Sequence, residues 1–584
     1  MQLMLNEETL PTYINKAKIL SELEYDYSTR IAILSSFTVN GLQETIRVKC
    51  SQYKIQCETY DSGYNQYNQE ILNSNSDLYK FKPEITFLII DTRTALSDLY
   101  FNLYSLSVEE RKKFVQEKSN EIINIVKQFS KKSKSKIILS NFTTPSYSPY
   151  GINEINQEFG LQEMIRVLNQ KIKNGLKDEP LAYIFDLESF VIKYGERNIF
   201  DYKQFFYADV KISLEYLPYL AEELLRYIKP FLGLSKKCIV LDLDNILWGG
   251  IVGEDGFEEI KLGDDPIGRS YLEFQKNLLA LNKRGIILTI NSKNNYDDAI
   301  DVINKHPNMV LKEENFACLK INWNDKVSNM QEISNELNIG LDSMVFFDDD
   351  PVNRELIRTR LPQVLTVELT DSSNYTNILQ SITDFEVLNI TIEDTQRGKM
   401  YSEERKRSEF KDQIENLDDF LEQLNISVKI KQADKFTIPR ISQLTLKTNQ
   451  FNLTTKRYQE EEIEAFSKNK NKIVECAEVK DKFGNNGITG VYIINKDNET
   501  EWSIDTFLLS CRIMGRGVEE GLLSNIIERA KKENVLKIKA QFIQTKKNMP
   551  AKNFLADFGF KKDGDNWYVD TNQQIKKSKH LHIE

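Results

Sequence analysis

The chain has 584 residues, 40% of them hydrophobic and 28% charged, with a formal net charge of -10. That length exceeds one ordinary core and calls for about two to four soluble globular domains. The acidic balance argues against non-specific nucleic-acid binding, which needs a basic footprint, and no uninterrupted apolar stretch approaches the ~20 residues of a membrane-spanning helix.

The N-terminal Met1-Gln2-Leu3-Met4 brings neither a basic n-region nor a long apolar run, so the expected compartment is the cytoplasm. Residues 1–230 alternate apolar strands, at 30–37, 85–90, 136–139 and 183–186, with polar helix-compatible sequence, the pattern of a doubly wound α/β sheet. Residues 236–375 repeat that pattern with sharper strands at 238–243, 285–290, 309–311, 343–347 and 364–367. Helices 271–283 and 325–337 carry apolar residues at helical spacing between them. Residues 390–425, with charged residues at 404–407 and 418–422, read as a solvated helical connection. Residues 426–584 mix strands at 426–430, 490–495 and 502–509 with a helix at 517–532. Six cysteines (Cys50, Cys57, Cys238, Cys318, Cys476, Cys511) show no metal or disulfide spacing. Three histidines (His306, His580, His582) leave little for a zinc site or a His-dependent triad.

Asp242-Leu243-Asp244 ends the apolar run that starts at Cys238 and precedes Trp248-Gly249-Gly250. Two carboxylates on one side of a strand end repel each other unless a cation or a shared proton relieves them. Four elements of this block, the Asp242/Asp244 pair among them, fit one phosphoryl-transfer chemistry. Asp242 is placed as a carboxylate nucleophile, and Asp244 as the acid that protonates the leaving oxygen and then activates water. Ser292, with Lys293 and Asn245 nearby in their turns, is placed to hold phosphate oxygens. Lys326, opening a helix, offsets charge on the phosphoryl group. Asp348 and Asp349, with Asp242 and Asp244, supply hard oxygen ligands for Mg²⁺.

That order of strand-end residues resembles the haloacid-dehalogenase superfamily. The longer stretches 241–256, 291–294, 316–323, 341–351, 443–455 and 504–517 resemble the FkbH-like family. So do Leu34-Ser35-Ser36-Phe37-Thr38, Asn65-Gln66-Tyr67 and residues 78–83, so the likeness spans nearly the whole chain. The resemblance implies three folds in a multi-domain α/β chain: an SGNH-hydrolase-like domain over 1–230, a Rossmann-like phosphatase domain over 236–375, and an α+β GNAT acyltransferase-like domain over 426–584. It also implies an activity. Such proteins dephosphorylate 1,3-bisphosphoglycerate and load a glyceryl group onto the phosphopantetheine thiol of an acyl carrier protein, in polyketide or glycan biosynthesis.

Two departures stand out. Ile246 replaces the Thr of Asp-x-Asp-x-Thr, and Asn291 stands where a Cys precedes Ser-Lys-Asn. Asn cannot form a thioester, so transfer goes directly to the carrier thiol, another cysteine serves, or the acyl group differs. Cys318 reads as a small buried residue on a helix. In the first block, Ser35 or Ser36 takes the place of the SGNH serine, but residues 1–230 contain no histidine and a Ser-His-Asp relay cannot form there. Arg512, Gly515 and Gly517 resemble the GNAT loop that binds acyl-CoA or pantetheine. Two other readings remain: a phosphatase fused to a GNAT N-acyltransferase acting on an amino sugar, and a non-catalytic scaffold that binds a carrier protein.

Overall fold

Strand β1 (Tyr27–Ser35) is apolar and buried along its second half, and it forms a central strand of a five-stranded sheet. The computed structural model describes residues 9–584 except 398–399, 402, 404–406, 408–409, 411–413, 415, 546 and 574–579. It divides into two compact units, Met1–Leu232 and Gly233–Glu584. Among the described residues, no helix is long and apolar enough to cross a membrane.

In the first unit, β2 (Ile55–Tyr64), β3 (Ile85–Ile89), β4 (Lys136–Ser140) and β5 (Ala182–Phe185) join β1 in the order β2-β1-β3-β4-β5, all parallel. β3 is buried throughout, as a strand covered on both faces must be. β2 is absent from the sequence reading. It is a polar edge strand that carries Gly63, and its mixed exposure leaves little periodicity to read.

The second unit holds two sheets. In the first, β6 (Cys238–Leu241), β7 (Ile287–Ser292), β8 (Phe316–Ile321), β9 (Met344–Phe347) and β10 (Leu365–Thr366) run parallel in the order β10-β9-β6-β7-β8. Two expectations need correction. Residues 309–311 form no strand, because Gln275 reaches in from the helix Pro266–Lys283 and its Oε1 accepts the N–H groups of Val310 (2.9 Å) and Leu311 (3.2 Å). β8 takes that place in the sheet, and Cys318 is a buried strand residue rather than a helical one.

The other sheet has nine strands and is mainly antiparallel. Along its path lie β11 (Ile426–Gln432), β13 (Lys472–Asp481), β14 (Gly484–Lys496), β15 (Glu501–Leu509), β16 (Lys537–Gln541), β17 (Lys561–Asp563), β18 (Asn566–Asp570) and β19 (Leu581–Ile583). β12 (Phe451–Asn452) pairs with the end of β15. β13 was not expected from its charged sequence. It pairs on both sides, with β11 and β14, and buries Ile473, Val474, Cys476, Ala477 and Val479 on its two faces.

The connection at 390–425 is not a solvated helix where it is described. Met400, Tyr401 and Arg407 are buried, and Arg407 forms a forked pair with Asp481 at 2.7 and 2.9 Å. Burial of a guanidinium is tolerated when a carboxylate matches its fork. Residues 404–406 of that charged run lie outside the described residues.

Candidate active site

The register of the parallel sheet builds the site. Leu241, the last residue of β6, pairs with Ile290 on one side and Phe347 on the other, so Asp242, Asn291 and Asp348 emerge level at the carboxyl edge. Ligands of open α/β sheets bind at that edge. One oxygen each of Asp242, Asp348 and Asp349 lie within 4.8 Å of one another. The Lys326 ammonium sits 2.5 Å from Asp242 Oδ2 and 2.5 Å from Asp348 Oδ2. Asp325 caps the helix Lys326–Glu336, its Oδ1 accepting from Val327 and Ser328 N–H, and this fixes where Lys326 leaves the backbone.

The electrostatics follow from burial. Lys326 is 1% exposed; burial pulls its ammonium down, but the Asp242 and Asp348 carboxylates hold it above the usual lysine value. Burial raises Asp348 to about 6, with Asp242 adding repulsion and Lys326 opposing it. Burial, then the Asp242 charge, also raises Asp349. A buried triad of acids with one lysine is short of positive charge. Its oxygen donors are those that Mg²⁺ prefers, so the residues fit such an ion.

Asp244 faces differently. Its Oδ1 accepts from Trp248 Nε1 (2.8 Å) and Val252 N–H (3.1 Å), and its Oδ2 from Asn294 Nδ2 (2.8 Å). Its side chain lies outside the converging oxygens of Asp242, Asp348 and Asp349, because three donors hold it elsewhere. Burial raises its pKa despite these donors, the direction that work as a general acid requires.

Asn245 adopts a left-handed backbone (φ 55°) and donates from Nδ2 to Asp349 Oδ2 at 3.1 Å, so it orients a carboxylate. Ser292 ends β7, is 1% exposed, and its hydroxyl has no hydrogen-bond partner among the described residues. Lys293 next to it is exposed. Asn291 is fully buried; its Nδ2 donates to the Lys326 carbonyl (2.9 Å), and its Oδ1 accepts from Asn329 Nδ2 (3.1 Å). Where a thiol was expected, an amide therefore ties β7 to the helix that carries Lys326.

Sequence reasoning missed the groups that hold these acids. Trp248 and Asn294 stood inside motifs already singled out, but only folding turns them onto Asp244. Arg354, on the helix Pro351–Arg360, donates to the carbonyls of Asp348 (2.8 Å) and Asp349 (2.7 Å), and Asn353 Nδ2 to Asp348 Oδ1 (3.3 Å).

Arg512, Gly515 and Gly517 lie in the stretch between β15 and the helix Val518–Lys532. The Gly515 N–H donates to Glu519 Oε1 at 3.1 Å, so a carboxylate already occupies it, and Arg512 is buried with its guanidinium near Ser510 Oγ and Met400 Sδ. Gly517, with φ +78°, simply starts the helix Val518–Lys532. In the first unit, the Ser35 hydroxyl accepts from Phe37 N–H (3.2 Å) and Ser36 from Asp91 N–H (2.8 Å), so both shape turns.

Residues 30–229 match the family model described as FkbH, N-terminal domain. The N-terminal part of the protein BF1531 from Bacteroides fragilis, which contains a phosphatase domain and was crystallised with Mg, is 28% identical. It covers 66% of this chain and 100% of its own, with a TM-score of 0.60. Ard1 from Thermoplasma volcanium (17% identity, 25% of this chain, 99% of its own) has a TM-score of 0.20. The ribosomal-protein-S18-alanine N-acetyltransferase from Escherichia coli (10%, 26%, 99%) has a TM-score of 0.21. No curated protein matches the chain.

Proposed function

We propose that this protein is a Mg²⁺-dependent phosphatase-type enzyme of the haloacid-dehalogenase kind that acts on a small phosphorylated acid. The observation that carries this reading is the convergence of Asp242, Asp348 and Asp349 around Lys326 at the carboxyl edge of a parallel sheet. The likeness to BF1531, a phosphatase-domain protein crystallised with Mg, supports it.

Asp242, Asp348 and Asp349 would hold Mg²⁺, which when bound neutralises charge on the phosphoryl oxygens. The Leu243 N–H, 2.8 Å from Asp242 Oδ1, fixes the rotamer of the nucleophile. The Asp242 carboxylate attacks phosphorus, the bond from phosphorus to the leaving oxygen breaks, and Asp244 gives that oxygen its proton. Water then attacks the aspartyl phosphate while Asp244 takes back a proton; phosphate leaves and Asp242 is regenerated. Lys326 and the Ser292 hydroxyl bind phosphoryl oxygens, and Lys293 adds a cation at the mouth. The test is phosphate release with Mg²⁺. Asp242→Asn keeps the fold, by circular dichroism and Tm, and loses release; wild-type turnover in that variant would remove Asp242 as nucleophile.

The finer reading is that the substrate is 1,3-bisphosphoglycerate and that the glyceryl group passes to an acyl carrier protein. The match of residues 30–229 to the FkbH N-terminal domain supports it. Because Asn291 is a structural amide, the acyl group goes straight to the carrier thiol or rests on another cysteine. Intact-mass measurement of a holo-carrier, incubated with enzyme, Mg²⁺ and 1,3-bisphosphoglycerate, shows a glyceryl increment on this reading. Phosphate release without the increment leaves the plain phosphatase, and neither product leaves the scaffold.

A further inference from the structure

The amino edge of the parallel sheet walls a second hollow within the Gly233–Glu584 unit, a cavity of about 240 Å³. Lys237 and Ser343 line it just before β6 and β9 begin. That is the length of β6 away from Asp242, about 16 Å at the rise of a strand. The facing wall comes from the helix Ile438–Lys447 and from the turn after β15. Two stretches singled out in the sequence, 443–455 and 504–517, therefore meet at a place the active site does not use.

Positive charge dominates this lining: Lys237, Arg397, Arg440, Lys447, Arg512 and Lys547 all face it. The carboxylates beside it are already committed, Asp342 to Lys547 and Asp394 to Arg397. Lys237, Lys447 and Arg512 form no ion pair among the described residues. The Lys237 ammonium reaches only the Lys447 carbonyl, at 3.5 Å, and Arg512 reaches only Ser510 Oγ at 3.4 Å and Met400 Sδ at 2.5 Å. The Lys447 ammonium has no hydrogen-bond partner among the described residues.

Burial lowers Lys447 to about 7, and the Arg397, Lys237 and Arg440 charges push the same way against Asp394. Burial likewise lowers Lys237 and Arg512. Lys237 and Lys447 are half-buried and Arg512 is buried, and cations held there without an ion pair cost stability that an anion in their midst would offset. The volume falls below the ~300–1,000 Å³ of pockets for drug-sized ligands. That admits a phosphoryl group with a few carbons attached. A guanidinium fork beside two ammonium groups suits the multiple charge and several oxygens of a phosphate monoester better than a single carboxylate.

We propose that this cavity is a binding site for a small organic phosphate, whose phosphoryl group is held by Lys237, Lys447 and Arg512. The site is separate from the Asp242 centre and does not depend on its chemistry. The phosphate is that of a free phosphorylated small acid, because the arm of a carrier protein bears its phosphate as a singly charged diester on a longer chain.

Cys511 provides a local readout, since it lines the cavity and is the one cysteine of the six that is not buried. Full-length protein is labelled with N-ethylmaleimide and mapped by peptide mass, with 3-phosphoglycerate, 4′-phosphopantetheine or glycerate present. At ten times its dissociation constant a phosphate ligand slows Cys511 labelling about tenfold, and glycerate has no effect. The protection persists in Asp242→Asn and disappears in Lys447→Met and in Lys237→Gln. Lys447→Met also keeps phosphate release and a Tm no lower than wild type, because Lys447 forms no ion pair among the described residues and Met keeps its apolar stem. Protection by 3-phosphoglycerate assigns the free acid, and protection by 4′-phosphopantetheine alone overturns that assignment. No protection by either phosphate, or protection unchanged in both lysine variants, overturns the proposal.

Discussion

Replacing Lys326 with Met tests the electrostatic account of the site directly. The ammonium lies 2.5 Å from two carboxylate oxygens. At an effective dielectric constant of ~20, each contact is a gross attraction of roughly 7 kcal/mol. Desolvation of the ammonium cancels much of that, and removing one partner of a buried ion pair typically costs about 3–5 kcal/mol. Taking ~3 kcal/mol and roughly 2 °C per kcal/mol for a large unit, Tm falls by about 6 °C at pH 7.5 in EDTA. Two conditions should shrink the loss. Mg²⁺ restores a cation among Asp242, Asp348 and Asp349, so it raises Tm more in Lys326→Met than in wild type. Acid does the same, since Asp348 already stands at about 6 and loses the cation that holds it down. The assay is differential scanning fluorimetry at pH 7.5 and 5.5, with EDTA or Mg²⁺. A Tm loss of the same size under all four conditions would refute the reasoning, because it would mean that Lys326 matters through packing and not through charge.

Mg²⁺ binding should weaken as pH falls through about 6. Asp348 is ionised above that value and proton-bearing below it, so protons compete with the ion; titration calorimetry at pH 5, 6 and 7.5 checks this. The same raised carboxylate favours the Mg²⁺-free folded state below its unfolded value of 3.8, and that benefit is lost as pH rises through about 6. The stabilisation by Mg²⁺, read as a Tm shift, is thus larger at pH 7.5 than at pH 5. Asn291→Cys removes the bonds to the Lys326 carbonyl and Asn329 and costs about 1–3 kcal/mol, the usual penalty for a buried polar group left unpaired. Its Tm falls and its kcat for phosphate release drops with KM little changed; an unchanged kcat would mean that Lys326 is positioned without it.

The parts that were legible in the sequence share one physical basis. β3, β6, β7 and β9 are short apolar runs that end in polar residues, and burial on both faces demands that composition. Asp242, Ser292 and Asp348 could be placed because each follows such a run. β2 and β13 were not legible, since their polar sequences are strands only because neighbours pair with them. The same holds for 309–311, where the buried side chain of Gln275 satisfies the backbone that a strand would otherwise pair.

By itself, then, the sequence determined which residue types stand at which strand ends, and with them a phosphoryl chemistry built on carboxylates. Only tertiary structure decided their partners. It placed Asp242, Asp348 and Asp349 together while turning Asp244 toward Trp248, Val252 and Asn294. It made Asn291 a brace for the Lys326 helix, and it sent Arg512 inward to join Lys237 and Lys447. Strand composition depends on local burial and can be read along the chain. Convergence depends on which distant segments share an edge, and that is set when sheet register and helix packing close.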